Sequence, residues 1–201
     1  LADENGDVVD GDAILAICAN QLRAEGRLRN DTVVGTVMSN FGLEVALRGM
    51  GAKLLRTDVG DRYVVEEMLK GGHILGGEQS GHLLFLDSST TGDGILSCLK
   101  VLEVMLRSGK RGSELAAVFE RYPQVVMSSK VREKPPIEAL AHVVAATREA
   151  EVELSDKGRV NVRYSGTSAL IRVMVEGEDE GRVRTLAEGI LAAAQEDGIL
   201  A

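Results

Sequence analysis

Apolar and polar positions alternate along the first 122 residues in two recurring patterns. A continuous, β-branched apolar run at 32–38 is typical of a strand buried on both faces of a parallel sheet, and residues 52–57 are predicted to form a second strand. Two shorter strand-like runs flank a polar turn, and amphipathic stretches with helical spacing lie between the strands. The predicted helices cover residues 12–26, 42–51, 61–72, 90–109 and 112–122, and the shorter strands cover 73–77 and 82–87. This alternation predicts an α/β domain with a mixed, mostly parallel sheet.

Residues that cap or interrupt helices mark the limits of these helices. Asp12 and Asp61 are each placed to cap a helix N-terminus with a carboxylate. The 90–109 stretch opens on Thr and Asp and closes on Gly109, as a helix with a glycine stop does. Pro123 stops the last helix, so we place a domain boundary near residues 122–124.

The pattern changes after Pro123, where strands and helices no longer alternate one for one. Strands are predicted at 124–133 and 169–178, and helices at 134–151 and 180–198. Residues 152–165 are interpreted as a β-hairpin that turns at Asp156, Lys157 and Gly158. The second part of the chain is therefore predicted to be a smaller α+β domain with an antiparallel sheet.

Composition narrows the classes of function. Of the 201 residues, 44% are hydrophobic but only 3% are aromatic, so the core is aliphatic and stacking platforms for single-stranded nucleic acid are not expected. A formal net charge of -8 argues against a non-specific polyanion binder. No signal peptide or membrane-length apolar run is visible, and Cys18 and Cys98 fit buried, inert thiols. We expect a cytoplasmic protein that binds neither nucleic acid nor membrane.

The stretch RYSGTSALIR gathers cationic and hydroxyl groups between two predicted strands. Arg163 and Arg172 flank a connection that contains Ser165, Gly166 and Thr167. The planar fork of arginine suits phosphate, and a glycine lets the backbone turn and aim its N–H groups at a ligand. This pattern favours a phosphate site in an otherwise acidic chain. The alternative is a hairpin loop with two solvated arginines.

Two further loops carry candidate chemistry. GGEQSGH places Glu78 and Ser80 among glycines, where a carboxylate and a hydroxyl can meet sugar hydroxyls; the alternative is a turn with a surface glutamate. VGDR, with Gly60, Asp61 and Arg62, follows a predicted parallel strand and opens a helix, which is a usual place for ligand contact.

Paired aspartates raise the question of a metal. Asp10 and Asp12 form a D-x-D pattern, and Asp87 and Asp93 lie close together in LDSSTTGDG. Two carboxylates alone are weak evidence for a divalent cation, and turns with helix caps explain both pairs. No catalytic Ser-His-Asp or Cys-His arrangement is legible, and neither a P-loop nor GxGxxG occurs. The residues by themselves therefore indicate no metal site.

In this order, TVMSN, VGDRYV, GGEQSGH, TTGDG and RYSGTSALIRVMVEG resemble the bacterial phosphoglucosamine mutases, a family of the α-D-phosphohexomutase superfamily. The resemblance implies an isomerase that interconverts glucosamine 6-phosphate and glucosamine 1-phosphate through a phosphoserine and a bisphosphate. It implies four domains around a cleft, with Mg²⁺ held by a D-x-D-x-D loop of domain two. Residues 1–11 would then end domain two, 12–122 would be the sugar-recognising domain three, and 123–201 the phosphate-binding domain four.

Site roles follow from the resemblance position by position. The sugar contacts would be Glu78 and Ser80, with Gly60, Asp61 and Arg62 as a second loop of the same domain. The phosphate clamp would be Arg163, Ser165, Gly166, Thr167 and Arg172. Where the family has Ser-Gly-Thr-Glu-Pro, this chain has Ser168 and Ala169 after Ser-Gly-Thr, so a looser loop is expected.

Neither the phosphoserine loop nor the metal loop of the family is found in this sequence. The resemblance therefore implies no catalytic or metal-binding residue in this chain, whose partners would be hexosamine phosphates and the missing N-terminal domains. We expect the chain alone to be inactive. The alternatives are part of a phosphomannomutase or phosphoglucomutase, or a non-catalytic sugar-phosphate-binding module.

Overall fold

The computed structural model describes residues 1–201. The chain divides into one unit of Leu1–Arg121 and a second of Tyr122–Ala201. The assignment of residues 1–11 to the end of a preceding domain stays a prediction.

A four-stranded sheet forms the centre of the first unit. Its strands are β1 (Thr32–Thr36), β2 (Lys53–Thr57), β3 (Leu75–Gly77) and β4 (Leu83–Phe85), in the order β2-β1-β3-β4. β1 pairs in parallel with both β2 and β3, and only β4 runs antiparallel. The predicted mixed, mostly parallel sheet is confirmed. Parallel strands place their carboxyl ends at one edge, and that edge carries the polar loops described below.

Helices cover both faces of this sheet because neighbouring residues of a strand point to opposite sides. Val33 packs into a core shared with the first, second and fourth helices, whereas Val34 packs with Val64 and Met68 of the third helix. The helices are α1 (Gly11–Ala24), α2 (Phe41–Gly49), α3 (Asp61–Gly71), α4 (Gly94–Ser108) and α5 (Gly112–Ala116). The result is an α/β/α layering.

Two predicted helix caps in this unit are wrong. The cap of α1 is Asp10, whose Oδ1 accepts from the Ala13 N–H at 3.0 Å, while Asp12 lies inside the helix and is fully buried. Asp61 is the first residue of α3 and Gly60 holds the cap position without a side-chain bond. The Asp93 cap of α4 is confirmed. The last helix, α5, is shorter than predicted and ends at residue 116.

The second unit is a three-stranded antiparallel sheet with two helices packed on one face. The strands are β5 (Gln124–Lys130), β6 (Gly158–Tyr164) and β7 (Leu170–Gly177), in the order β5-β7-β6. The helices are α6 (Ala141–Leu154) and α7 (Glu180–Glu196). Ile171, Val173 and Val175 of β7 face them and form the core. The predicted α+β unit with an antiparallel sheet is confirmed.

Two local predictions in this unit are wrong. Residues 152–154 finish α6 rather than starting a hairpin, and the chain then turns through Ser155, at a φ of 50°, into β6. α6 begins at Ala141 rather than at the prolines, which precede a short 3₁₀ turn at Ile137–Ala139. Cys18 is buried as predicted, but Cys98 is only partly buried. Across the whole chain, no helix has the length and apolarity that crossing a bilayer requires.

Candidate functional site

A cleft of about 560 Å³ opens at the carboxyl ends of β1 and β3 in the first unit. Thr36 at the end of β1 and Val59 beyond β2 line it together with Glu78 and Ser80. Glu78 and Ser80 belong to the EQS loop, which we define as residues 78–82 between β3 and β4. The position fits the rule that open α/β sheets bind ligands outside the carboxyl ends of their parallel strands.

The Glu78 carboxylate joins the two loops that the sequence singled out. Its Oε1 accepts a hydrogen bond from the Gly60 N–H at 3.1 Å, while its Oε2 makes no hydrogen bond within the protein. Gly60 has a φ of 133°, which side-chain-bearing residues rarely adopt, so glycine is required at this contact. The second carboxylate oxygen is therefore available to a hydroxyl donor in the cleft.

The other members of the VGDR loop do not reach Glu78. Asp61 Oδ1 accepts from the Arg62 N–H at 2.7 Å, and Arg62 Nε lies 3.3 Å from Glu66 Oε1, one turn along α3. Both side chains are exposed and engaged with their own helix. Of the predicted sugar-site residues, the structure thus brings together Gly60, Glu78 and Ser80, and leaves Asp61 and Arg62 to one side.

The EQS loop is supported from behind by the first turn of α1. The Gly11 N–H donates to the Gln79 carbonyl at 3.1 Å. A Cβ at Gly11 would lie 2.1 Å from the Glu78 carbonyl oxygen, so only glycine permits this approach. Within the loop, the Glu78 N–H donates to the His82 carbonyl at 2.8 Å. The loop is therefore a rigid turn held by backbone bonds on two sides.

The sequence did not point to one ion pair in the cleft. Asp10 caps α1 through Oδ1 and pairs through Oδ2 with the Arg121 guanidinium, and both residues line the cleft. Asp10 had a legible signal, the D-G-D pattern, but the pattern suggested only a turn, a cap or a metal. Arg121 lies 111 positions away and no local pattern marks it.

In the second unit the two arginines of the candidate clamp are direct neighbours. Arg163 of β6 and Arg172 of β7 are partners across the antiparallel ladder, and Ser128 of β5 is the next partner in the same row. Residues paired in this way share one face of the sheet, and this is the face without helices. The Arg172 side chain makes no hydrogen bond or ion pair. The Arg172 guanidinium, beside that of Arg163, is therefore suited to bind an anion.

The connection between these strands is the SGT loop, which we define as residues 165–169. Ser165 is buried, and its N–H donates to the Leu170 carbonyl at 2.9 Å. The four following residues are exposed. Gly166 has an ordinary negative φ and a Cβ there would meet nothing within 4 Å, so the turn itself does not require glycine at this position. The glycine leaves bare backbone that a ligand can approach closely.

A third cationic side chain, that of Lys134, contacts the SGT loop. Lys134 Nζ donates to the Ser165 carbonyl at 2.7 Å from the segment that follows β5. Sequence reasoning missed this lysine, because its only signal was its position beside the prolines. Tyr164, which precedes the loop, faces the helices, and burial, with a smaller contribution from Glu133, raises the pKa of its phenol.

The acidic residues of the chain do not form a magnesium site. No group of three or more His, Cys, Asp or Glu side chains lies close enough to hold a metal ion. Asp10 is engaged with α1 and Arg121, and Asp12 Oδ2 accepts from the Asn40 N–H at 2.8 Å. The carboxylates of the D-G-D pattern thus serve helix and loop packing, and they do not fit Mg²⁺.

The chain thus combines an α/β/α unit that has a polar cleft at its strand ends with an α+β unit that has an arginine row. Residues 10–122 match the family model described as phosphoglucomutase/phosphomannomutase, alpha/beta/alpha domain III, and residues 127–193 match that of the C-terminal domain. The chain therefore belongs to the phosphoglucomutase/phosphomannomutase family, and the predicted phosphohexomutase membership is confirmed.

Individual relatives agree with the family match. A phosphoglucosamine mutase from Citrifermentans bemidjiense is 53% identical over 94% of this chain, and one from Anaeromyxobacter dehalogenans is 56% identical over 96%. The chain spans only about 42% of the length of each. The Aspergillus fumigatus N-acetylphosphoglucosamine mutase in complex with GlcNAc-6P and magnesium superposes with a TM-score of 0.74 at 18% identity, covering 98% of this chain and 46% of that one. At such identity the likeness shows the fold alone.

Proposed function

We propose that this chain is the substrate-recognising part of a cytoplasmic phosphoglucosamine mutase, which interconverts glucosamine 6-phosphate and glucosamine 1-phosphate. The observation that carries the proposal is the identity of more than 50% with phosphoglucosamine mutases over nearly the whole chain. In this proposal the ligands are hexosamine phosphates, of which the first unit recognises the sugar and the second unit the phosphate.

The first unit recognises the sugar. Glu78 Oε2 accepts from a sugar hydroxyl and the exposed Ser80 hydroxyl adds a second polar contact, while Gly60 fixes the carboxylate through Oε1. Asp61 and Arg62 stand beside the cleft on the first turn of α3, directly after Gly60, and are the more distant members of the proposed sugar site. Hydroxyl-to-carboxylate bonds of this type are worth about 1.5–3 kcal/mol each, so a few suffice for orientation.

The second unit binds the phosphate. Arg163 and Arg172 supply charge from adjacent strands, and Ser165, Gly166 and Thr167 supply hydroxyl and backbone donors from the SGT loop. Lys134 adds charge at the base of the loop. A guanidinium fork binds phosphate oxygens in two places at once, which fixes the ligand as well as attracting it.

Such a division suits the reaction. A mutase that moves phosphate between two positions of one sugar must hold the phosphate that is not reacting, and the arginine row has no covalent role to perform. No residue of this chain is proposed to carry the phosphoryl group or Mg²⁺. We therefore propose that the chain alone has no mutase activity; detectable turnover of glucosamine 6-phosphate by the pure chain would contradict this.

An NMR titration with glucosamine 6-phosphate tests the proposal. We expect the amides of residues 165–168 and of residues 78–80 to shift, and Arg172→Ala to weaken binding at least tenfold, about the value of one charge-assisted bond. Arg184→Ala is the matched control, since Arg184 is an exposed arginine on α7. No shift at millimolar ligand, or equal losses in the two variants, would refute the proposed site.

Competition decides the sugar. The family name includes phosphoglucomutase and phosphomannomutase, so glucose and mannose phosphates are the alternative ligands. Preference for either over glucosamine 6-phosphate would replace our choice. Binding without activity in the full-length protein would favour a non-catalytic sugar-phosphate module.

A further inference from the structure

Asp10 has two roles that meet at the wall of the cleft. Its Oδ1 caps α1 at 3.0 Å from the Ala13 N–H, and its Oδ2 holds the Arg121 guanidinium, which also lies over the Phe119 ring at 5.8 Å. The next residue, Gly11, supports the EQS loop through the Gln79 carbonyl. One turn of chain thus connects a cation, a helix start and the sugar loop.

We propose that Asp10 is a positioning residue, which keeps the Arg121 guanidinium away from Glu78 so that Glu78 Oε2 stays available to the sugar. The inference rests on the proposed sugar site. It goes beyond that site in assigning a role to Asp10 and Arg121, neither of which is proposed to touch the ligand.

The argument is one of competition between carboxylates. The cleft is lined by two carboxylates, Asp10 and Glu78, and by one guanidinium, that of Arg121. An arginine beside two acceptors pairs with the one that is better placed. Here that acceptor is Asp10, whose carboxylate is fixed by its bond to the Ala13 N–H. Glu78 is the other acceptor, and its Oε2 has no partner. If the charge of Asp10 is removed, Glu78 is the carboxylate left in the cleft. A guanidinium–carboxylate pair is directional and strong enough to compete with a sugar hydroxyl.

The Gly60 contact reports the change without any ligand. Gly60 N–H donates to Glu78 Oε1, so a Glu78 carboxylate drawn toward Arg121 alters the chemical shift and the hydrogen exchange of that one amide. A general destabilisation of the unit would instead change the chemical shifts and hydrogen exchange of many amides. The Gly60 amide therefore separates repositioning of Glu78 from simple destabilisation.

The test uses Asp10→Asn, because asparagine caps helices as well as aspartate and leaves α1 intact. The matched control is Asp93→Asn, which changes the cap of α4, where the carboxylate accepts from Ile95 and Leu96, away from the cleft. We expect Asp10→Asn to shift the Gly60 amide and to weaken glucosamine 6-phosphate binding about tenfold, the effect of about one hydrogen bond. Asp93→Asn should do neither.

The rescue is Asp10→Asn combined with Arg121→Met, which removes the competing cation. We expect the double variant to regain the wild-type Gly60 resonance and an affinity within about twofold of wild type, since twofold is well below the effect of one hydrogen bond. An unchanged Gly60 amide in Asp10→Asn, or a double variant as weak as the single one, would overturn the proposal. If the wild type binds no sugar phosphate, the proposed function fails, and the Gly60 resonance of the three variants still decides the role of Asp10.

Discussion

Gly11 is the position where one added methyl group should do most damage to the cleft. It is buried at the start of α1, and its N–H donates to the Gln79 carbonyl at 3.1 Å. In Gly11→Ala the new Cβ would meet the Glu78 carbonyl oxygen at 2.1 Å and the Gln79 carbonyl oxygen at 2.9 Å. Both are backbone atoms, so no side chain can turn away to relieve the overlap.

The size of the effect follows from two opposing contributions. The 2.1 Å between the new Cβ and the Glu78 carbonyl oxygen is more than an ångström shorter than the 3.4 Å at which ordinary contact begins. Overpacking of this kind typically costs about 1–3 kcal/mol. Alanine in a helix regains up to about 1 kcal/mol over glycine. Because the overlap with fixed backbone is severe, its cost lies in the upper part of that range, about 2–3 kcal/mol, and we expect Gly11→Ala to destabilise the first unit by about 1–2 kcal/mol. The EQS loop should move away from α1, which breaks the 3.1 Å contact between Glu78 Oε1 and Gly60.

Urea denaturation followed by amide resonances of each unit measures this, since two units that unfold separately have no single free energy of unfolding. Gly49→Ala is the matched control: Gly49 is likewise a terminal residue of a helix, the last of α2, and a Cβ there meets nothing within 4 Å. That variant should gain up to about 1 kcal/mol, so the two substitutions differ in sign. A Gly11→Ala variant as stable as Gly49→Ala, with unchanged EQS loop resonances, would refute the reasoning.

Three further predictions concern single groups. Asp197→Ala should cost the second unit about 1–2 kcal/mol in urea, because its carboxylate accepts from two backbone N–H groups that open α6. Burial alone would raise the pKa of Asp197, but the Val143 N–H, the His142 ring and the His142 N–H together outweigh it and hold the pKa below 3.8, so this stability is present above pH 3.8 and is lost as the pH falls through the lowered value. Arg159→Leu should cost about 3 kcal/mol by thermal or urea unfolding, because it removes the ion pair, 2.5 Å long, between Arg159 and the fully buried Glu176 carboxylate. Burial raises the pKa of the Cys18 thiol to about 12, so Ellman's reagent at pH 8 should label Cys98 in the native chain and Cys18 only after unfolding.

Each of these has an internal control. Glu196→Gln tests the Asp197 result, since Glu196 lies beside it but is 67% exposed. Arg182→Leu removes an arginine–glutamate pair on the surface of the same unit and should change stability far less than Arg159→Leu. Equal effects within either pair of variants, or labelling of both thiols in the native state, would contradict the burial argument.

The regular elements were predictable because their signals are local. β1 follows from its β-branched run, and α4 follows from its apolar spacing with Asp93 at the start and Gly109 at the end. The pairing of Arg163 with Arg172 on adjacent strands also follows from local pattern, since a short connection between two strands sets the register.

The support of the cleft was not predictable, because it depends on contacts between distant positions. In D-G-D either aspartate can cap a helix, and the choice of Asp10 places Gly11 against a loop that begins 67 positions later. Nothing near Arg121 or Lys134 in the sequence indicates the contact that either side chain makes with a distant segment. Charged side chains that complete a site from another element leave no periodic trace, so only the folded chain reveals them.

The SGT loop is where this chain departs from the family pattern, and the departure changes the local charge. An acidic protein repels phosphate at long range, so attraction must come from groups within a few ångströms, and in the proposed site these are Arg163, Arg172 and Lys134. Where the resembling family carries a glutamate, this chain has Ser168, which removes a negative charge from that cluster. The stiffness of the missing proline is replaced in part by the Leu170 N–H, which donates to the Ser168 carbonyl at 2.9 Å. The exchange therefore trades preorganisation of the loop for a more positive potential at the same place.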